Sequence, residues 1–507
     1  MPRPTRRDFL KTASVGALVT IAGTKSAPRV LGANETVRIA VAGINGRGKS
    51  HIDAWTSIPG VQLTYLIDPD KRTYGKYTKR FEGKPDAPKY IQDVRQALED
   101  KNLDAISIAT PNHWHALITI WACQANKDVY VEKPASHNVH EGAIAVEAAR
   151  KYNRIVQHGT QSRSSGSWAK LAELAKSGKY GKLLISRGIV YKDGGNGRGT
   201  RGDIGFAPTK APPSELDFNI WLGPAPQQAY HENLVHYRWH WFWDFGNGDI
   251  GNQGVHQMDI ARWMIPGATF PKSAISMGGR IGHKDQGQCA SSQLGVFDYG
   301  ETKLIFEVRG LPSKPYPHTN RKDGDNVLHF EAGTVAGGMF YPKGKDEGEP
   351  LEGGRNRQGG GGQRGKARAK GEGRPPAEGD SEGGHFGNFI KACRSRKVED
   401  LKADILEGHR SAALIHLANA SHRLGEQVPF GSSAAKSVLN GNVDAAEALD
   451  RMEEYLGKEN NIKLTEWSLT VGKKLMVDAG NGFTTDPAAN KLLTREYRAP
   501  FVVPAKL

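Results

Sequence analysis

Cysteine is nearly missing from this chain: Cys123, Cys289 and Cys393 are the three among 507 residues, far apart and odd in number. That excludes a disulfide framework, and with no CxxC pair or histidine at ligand spacing the expected metal content is none. Long apolar runs are missing too. The most apolar stretch near the start, Ala13 to Gly23, is too short to span a bilayer as a permanent helix, and no other segment is apolar enough, so no stable membrane anchor is expected. Hydrophobic residues make up only 38% of the chain while glycine numbers 61, which is unusual for a compact enzyme. Much of that imbalance is local. Residues 343–384 contain no aromatic or β-branched side chain and one leucine, so they cannot bury enough apolar surface to offset chain entropy and read as a disordered insertion. The net charge of +15 would suit a polyanion, but the cations are scattered and no nucleic-acid motif accompanies them. No nucleic-acid partner is expected.

The amino terminus carries more information. TRRDFLKTASVGALVTIAG pairs Arg6 and Arg7 with Phe9, Leu10 and Lys11 ahead of the weakly apolar run, and it resembles a twin-arginine export signal. Residues 1–33 are therefore set aside from the fold, and the mature protein is expected in the periplasm. Export of an already folded chain agrees with the scarcity of cysteine. The alternative is an ordinary amphipathic helix.

What is present in strength is an apolar strand that ends in a glycine-rich turn, VRIAVAGINGRGKS from Val37 to Ser50. It satisfies the P-loop pattern through Gly43, Gly48, Lys49 and Ser50. It also satisfies the dinucleotide pattern GxGxxG with one fault, Asn45 in place of the second glycine, and asparagine tolerates a left-handed backbone best among the other residues. The downstream strands favour the dinucleotide. VQLTYLID closes on Asp68, where a dinucleotide site wants an acidic residue for the ribose hydroxyls, although the octet also reads as a Walker B strand; DAISIATPNHWH ends in Thr-Pro-Asn without a carboxylate, and DVYVEKP ends in Glu-Lys-Pro. Four strands separated by helical segments make a doubly wound sheet with ligands at the carboxyl ends of its strands. Lys49 and Ser50 then become a solvated first helical turn. After residue 160 the alternation gives way to isolated strands such as LLISRGIVY, ASSQLGVFDY and TKLIFEVRG, as an α+β second domain would give. The expected organisation is a Rossmann domain over 34–160, an α+β domain over 161–425 that contains the insertion, and an extension over 426–507.

Taken in order, GINGRG, Asp68, ATPNHWH (Ala109 to His115), EKP (Glu132 to Pro134) and GNQGVHQMDIARW (Gly251 to Trp263) resemble the glucose-fructose oxidoreductase and inositol dehydrogenase family. DFNIWLGPAP and the terminal ANKLLTREYRAP resemble its exported bacterial members, the latter within 485–504. The resemblance implies a Rossmann domain followed by a second domain with a large, mostly antiparallel, open-faced sheet, and substrate between that sheet and the nicotinamide. It implies that Gly43, Asn45, Gly46 and Arg47 surround the pyrophosphate and that Asp68 binds the adenosine ribose. It also implies that Thr110, Pro111, Asn112 and His115 lie beneath the nicotinamide ribose, with Glu132, Lys133 and Gln161 as further cofactor contacts. The charge of Asp68 would repel a 2′-phosphate, which favours NAD over NADP.

Lys133 and His256 are the implied catalytic pair, a lysine beside a nicotinamide being suited to carry a proton. Asn252 departs from the family, whose polyol dehydrogenases often have aspartate there, so the usual proton relay is in doubt. Asp259 would orient His256 or pair with Arg262. Candidate substrate residues are Arg163, Tyr191, His240, Asn252 and Asp259. The aromatic run HYRWHWFWDFGNG, His236 to Gly248, offers faces for a sugar, although most of its rings suit a core equally well. The expected activity is NAD-dependent oxidation of a sugar, polyol or glycoside with a tightly held cofactor, since an exported enzyme has no NAD pool to exchange with. Redox-assisted glycosidase, lyase or epimerase chemistry is the alternative, and a sugar-binding protein that merely retains NAD is a third. A homodimer or homotetramer is expected by analogy with the family.

Overall fold

The computed structural model describes residues 36–191, 202–319, 324–351, 383–439 and 441–507. The expected export segment and most of the expected insertion lie outside the described residues. Strands β1 (Val37–Ala42), β2 (Val61–Ile67), β3 (Lys89–Ile91), β4 (Ala105–Ile108), β5 (Asp128–Val131) and β6 (Val156–His158) form a parallel sheet of order β3-β2-β1-β4-β5-β6. Their runs of valine, isoleucine and alanine are buried on both faces, which is why they read as continuous apolar stretches. Four of these strands were readable; β3 and β6, with three residues each, are too short to show a period. Helices α1 (Gly48–Ser57), α2 (Asn112–Gln124) and α3 (Val139–Lys151) connect them. The strand order reverses between β1 and β4, and a doubly wound sheet opens its ligand crevice at that point.

The second sheet is assembled from β7 (Leu183–Tyr191), β8 (Ser273–Gly279), β9 (Ser292–Asp298), β10 (Lys303–Arg309), β11 (Gly324–Phe330), β12 (Gly333–Ala336), β13 (Met339–Pro342), β14 (Glu349–Pro350), β15 (Glu426–Pro429), β16 (Ser468–Val471) and β17 (Leu475–Met476). Its order is β14-β13-β12-β11-β7-β10-β9-β8-β16-β15, with β17 beside β8. All of its pairs are antiparallel except β7 with β10. One face packs on α4 (Gly254–Met264) and α6 (Ile405–Arg423).

Three features depart from the sequence reading. The face expected to be open is covered by the chain itself: Ala435, Leu439, Ala448, Leu449 and Met452, the last three on helix α7 (Val443–Glu454), close over Ile185, Ile275, Leu294 and Ile305. An apolar row of that length has to leave water, and the extension supplies the cover. Helix α5 (Gly384–Ser395) packs not on the second sheet but on the first domain, where Phe389 and Ile390 sit among Val37, Ile39 and Trp55. Finally, residues 343–351 are not disordered, because backbone pairing of β14 with β13 orders a stretch that has little apolar surface of its own.

Candidate active site

At the carboxyl ends of β1, β4 and β5 lies a cavity of about 300 Å³, within the size range of small-molecule sites. One end is made by the turn after β1. Gly43 has φ +81°, and a Cβ there would stand 2.5 Å from the Ala109 carbonyl oxygen, so only glycine lets the β1 and β4 loops approach. Asn45, by contrast, is not in the left-handed region. Its tolerance of that conformation is not what the turn uses; its backbone carbonyl accepts from Lys76 Nζ at 3.1 Å. Gly46 has open space on its Cβ side. Lys49 pairs with Asp53 at 2.6 Å on the exposed side of α1, and neither it nor Ser50 lines the cavity, as the dinucleotide reading requires.

Asp68 is buried at the cavity wall, with Oδ2 accepting from Ile44 N and Oδ1 from Asp70 N, both at 3.0 Å. Burial pushes its carboxyl above the ordinary range, against the opposing pull of those two backbone donors. Its neighbour Asp70 goes the other way: burial would raise it, but His236 and Arg72 outweigh burial. Thr110, Pro111, Asn112 and His115 line the same wall. His115 ties two loops together, with Nδ1 at 2.7 Å from the Pro134 carbonyl and Nε2 at 2.8 Å from that of Thr110. His113 instead packs, its Nε2 on the Trp221 carbonyl and its ring against Phe245.

Glu132 is the electrostatic hub. Its Oε1 accepts from Arg47 Nε at 2.7 Å and from Gln161 Nε2 at 3.3 Å, and it lies 3.1 Å from His51 Nε2. Burial alone would raise its carboxyl; the His51 hydrogen bond and the Arg47 and Lys133 charges win, holding it well below the usual carboxylate range. Arg47 is thus drawn toward β5 while still lining the cavity. The sequence reading did not foresee His51. Beside this hub, Lys133 Nζ donates to the Asn252 carbonyl at 2.6 Å. His256 stands on α4 outside the cavity lining, partly buried. Burial, then the Lys133 charge, lowers its basicity and keeps the ring neutral.

Of the candidate substrate residues, His240 and Asn252 line the cavity and three do not. Arg163 and Asp259 are buried against each other, Nε to Oδ2 at 2.8 Å, with Ser411 Oγ donating to Asp259 at 2.6 Å. Asp259 therefore neither orients His256 nor pairs primarily with Arg262; two charges this deep have to satisfy one another. Tyr191 is buried in the second sheet, its hydroxyl accepting from Tyr316 N at 2.7 Å. The aromatic run divides as its composition allowed: Trp241, Phe242 and Phe245 are core, while Tyr237 and Trp239 join His240 at the cavity. Tyr237 was not singled out by the sequence, because an irregular segment has no period to show which ring faces inward. Elsewhere, Asp203, His283 and Asp285 come within ligand distance of one another. The Asp285 oxygens, however, already accept from Arg280 Nε at 2.6 Å, Ile204 N at 2.8 Å and Gly287 N at 2.9 Å.

The residues at the crevice fit a dinucleotide on an observation of their own. Thr110 Oγ1 is buried at the cavity and has no hydrogen-bond partner among the described residues. An orphaned hydroxyl there costs about 1–3 kcal/mol unless a ligand satisfies it.

Residues 37–160 match the model of an oxidoreductase family with an NAD-binding Rossmann fold (GFO/IDH/MocA), and residues 201–287 match that family's C-terminal alpha/beta domain. Over these two stretches the chain is similar to that NAD-binding oxidoreductase family. It is 29% identical to the scyllo-inositol 2-dehydrogenase (NAD(+)) of Bacillus subtilis over 294 residues, 57% of this chain and 70% of the relative. It is 30% identical to the levoglucosan dehydrogenase of Pseudarthrobacter phenanthrenivorans over 267 residues, 50% of this chain and 60% of the relative. A glycosyl hydrolase family 109 protein of Saccharopolyspora erythraea is 26% identical over 166 residues, 32% of this chain and 36% of the relative. Among solved structures, the WlbA dehydrogenase from Chromobacterium violaceum, determined with NADH and UDP-GlcNAcA, superposes with TM-score 0.54 at 16% identity. That superposition covers 79% of this chain and 97% of that one, and it supports the shared fold.

Proposed function

We propose that the protein oxidises a hydroxyl-bearing carbon of a sugar, polyol or glycoside at the Lys133 end of the cavity, with NAD held along the Gly43, Asp68 and Thr110 walls. The observation that carries this reading is the placement of Lys133: its Nζ lies on Asn252 from the second domain while the residue lines the same cavity as Asp68. Bound NAD would supply the hydride acceptor. The residues supply the rest. Lys133, as the neutral amine, takes the proton of the substrate hydroxyl oxygen and, as the ammonium, returns it in the reverse direction, and acid-base help of this kind is worth roughly 10² to 10⁴ in rate. Glu132, held ionised, keeps cations gathered at this end of the site. His256 stays neutral beside it, since burial and the Lys133 charge make it a weak base. His240 and Trp239, stacked at 3.6 Å, wall the substrate side and exclude water.

The relatives named as glycosyl hydrolases favour one second reading, a redox-neutral reaction on a glycoside that begins with the same oxidation. We further propose export by the twin-arginine route to the periplasm, on the residues around Arg6 and Arg7. Assembly as a homodimer or homotetramer is carried by family analogy alone, and the covered sheet face directs such contacts elsewhere. Among the described residues no helix is long and apolar enough to cross a membrane.

The test begins with dialysed protein. Nucleotide released by acid is identified, and intact protein is then mixed with scyllo-inositol, levoglucosan and simple glycosides while absorbance near 340 nm is followed. Retained NAD reduced by one of them supports the oxidoreductase, and product analysis separates oxidation from glycoside cleavage. Protein that neither retains nor binds NAD would sink the proposal.

A further inference from the structure

Tyr237 lines the cavity together with Trp239, His240, Asn252 and Lys133. It is 44% exposed, and its backbone sits at φ +77°, a conformation that a bulky L-residue adopts at a cost of order 1–3 kcal/mol and that concentrates at functional sites. The ring is braced by His240, centroids 4.6 Å apart. Its hydroxyl has one hydrogen-bond partner among the described residues, Asn252 Nδ2 at 3.4 Å.

The direction of that bond follows from Lys133. Asn252 Oδ1 lies 3.5 Å from Lys133 Nζ, and an ammonium has donors only, so the carboxamide must turn its oxygen to the lysine and its NH₂ to the tyrosine. The phenol oxygen therefore accepts, and its O–H remains free to donate into the cavity. Aspartate at position 252 would do the reverse, drawing the phenol proton onto its carboxylate. Asparagine here is thus a device that presents a hydroxyl donor to the substrate.

We propose that Tyr237 is a substrate-binding residue whose O–H donates to one hydroxyl of the sugar or polyol, aimed by the carboxamide of Asn252. This rests on the oxidoreductase reading above. It identifies a specificity contact beside Lys133, across the Asn252 carboxamide, made to an oxygen other than the one Lys133 deprotonates, since a phenol that donates to the reacting oxygen would oppose its oxidation.

The experiment compares wild type, Tyr237→Phe and Tyr237→Ala, each loaded with NAD, for reduction at 340 nm by scyllo-inositol, levoglucosan and monodeoxy analogues of each. Tyr237→Phe is expected to lose about tenfold in kcat/KM on the full substrate while keeping its NAD content and thermal midpoint. It is expected to lose nothing on the analogue that lacks the contacted hydroxyl, a pattern that a purely packing role cannot produce. Equal kcat/KM for wild type and Tyr237→Phe with a fall only in Tyr237→Ala overturns the proposal, as does an equal loss on every analogue. A wild type that binds NAD but reduces it with none of the sugars overturns the oxidoreductase reading instead, and this contact falls with it.

Discussion

Two buried glutamates use the same electrostatics for different ends. Glu132 at the end of β5 and Glu307 in β10 are both held ionised by surrounding cations, against the burial that would raise each. Around Glu307 the cations are sealed in: Arg187 lies at 2.8 Å, Arg309 at 2.9 Å and Arg451 at 2.7 Å, with side chains 1%, 7% and 18% exposed. Around Glu132, Arg47 is 43% exposed and faces the cavity. A shifted carboxylate is therefore no mark of an active site by itself. What distinguishes the two is where the cations point: inward, to clamp the α7 extension onto the sheet, or outward, to meet a ligand.

The comparison breaks most sharply if the two sets of cations are exchangeable in effect. Lys133→Ala is expected to lower turnover by roughly 10² to 10⁴ with NAD retained, read by single-turnover reduction at 340 nm; a variant with wild-type turnover removes Lys133 from the chemistry. Glu307→Ala is expected to cost about 3–5 kcal/mol in urea unfolding, because the buried guanidiniums of Arg187 and Arg309 are left without their counter-charge. NAD content should not change. Glu132→Ala should cost less stability than Glu307→Ala, since Arg47 can turn to water, but should weaken NAD retention. If the two stability losses are equal, the distinction drawn here between sealed and open clusters is wrong.

How much of this was legible depends on the range of the interaction. The turn at Gly43, the carboxylate of Asp68, the Thr110 loop and Lys133 sit at strand ends, where local pattern and chemistry coincide, and the sequence places them on its own. Arg163 and Asp259 pair across 96 positions, and nothing local to either shows that they satisfy each other rather than a substrate. The cover over the second sheet was partly readable: Ala445, Ala448, Leu449 and Met452 recur at helical spacing on α7. The four-residue strands β15 and β16 that anchor it carry too little period to identify. Tyr237 was hidden for a third reason. Its orientation is set by an irregular backbone and by Asn252, fifteen residues on.

Acid sharpens the same contrast. Glu307, ordinarily near 4.5, is held down to about 2. A depressed acid contributes stability that is complete above its ordinary value and is lost as pH falls from about 4.5 to about 2, an effect worth roughly 3 kcal/mol. Glu307→Gln should therefore flatten the acid limb of a stability profile between those values. A profile that keeps its wild-type slope would place the titration elsewhere.

The smallest effect belongs to Asp68, whose shift has the opposite sign. Burial raises it in the nucleotide-free protein, so it favours the folded state in its protonated form, and that contribution fades as pH rises through the raised value. Ribose hydroxyls donate to a carboxylate, so the ionised form is the one that binds, and binding must release a proton wherever the free carboxyl is still protonated. NAD should bind nucleotide-stripped protein several-fold more weakly at pH 5 than at pH 7.5, with proton release visible as a dependence of calorimetric heat on the buffer. Asp68→Asn should bind weakly at both values and lose the difference between them. An affinity that is the same at both pH values, in a protein that still binds NAD, would mean that the ribose is held by another group and that Asp68 serves the turn through Ile44 and Asp70 alone.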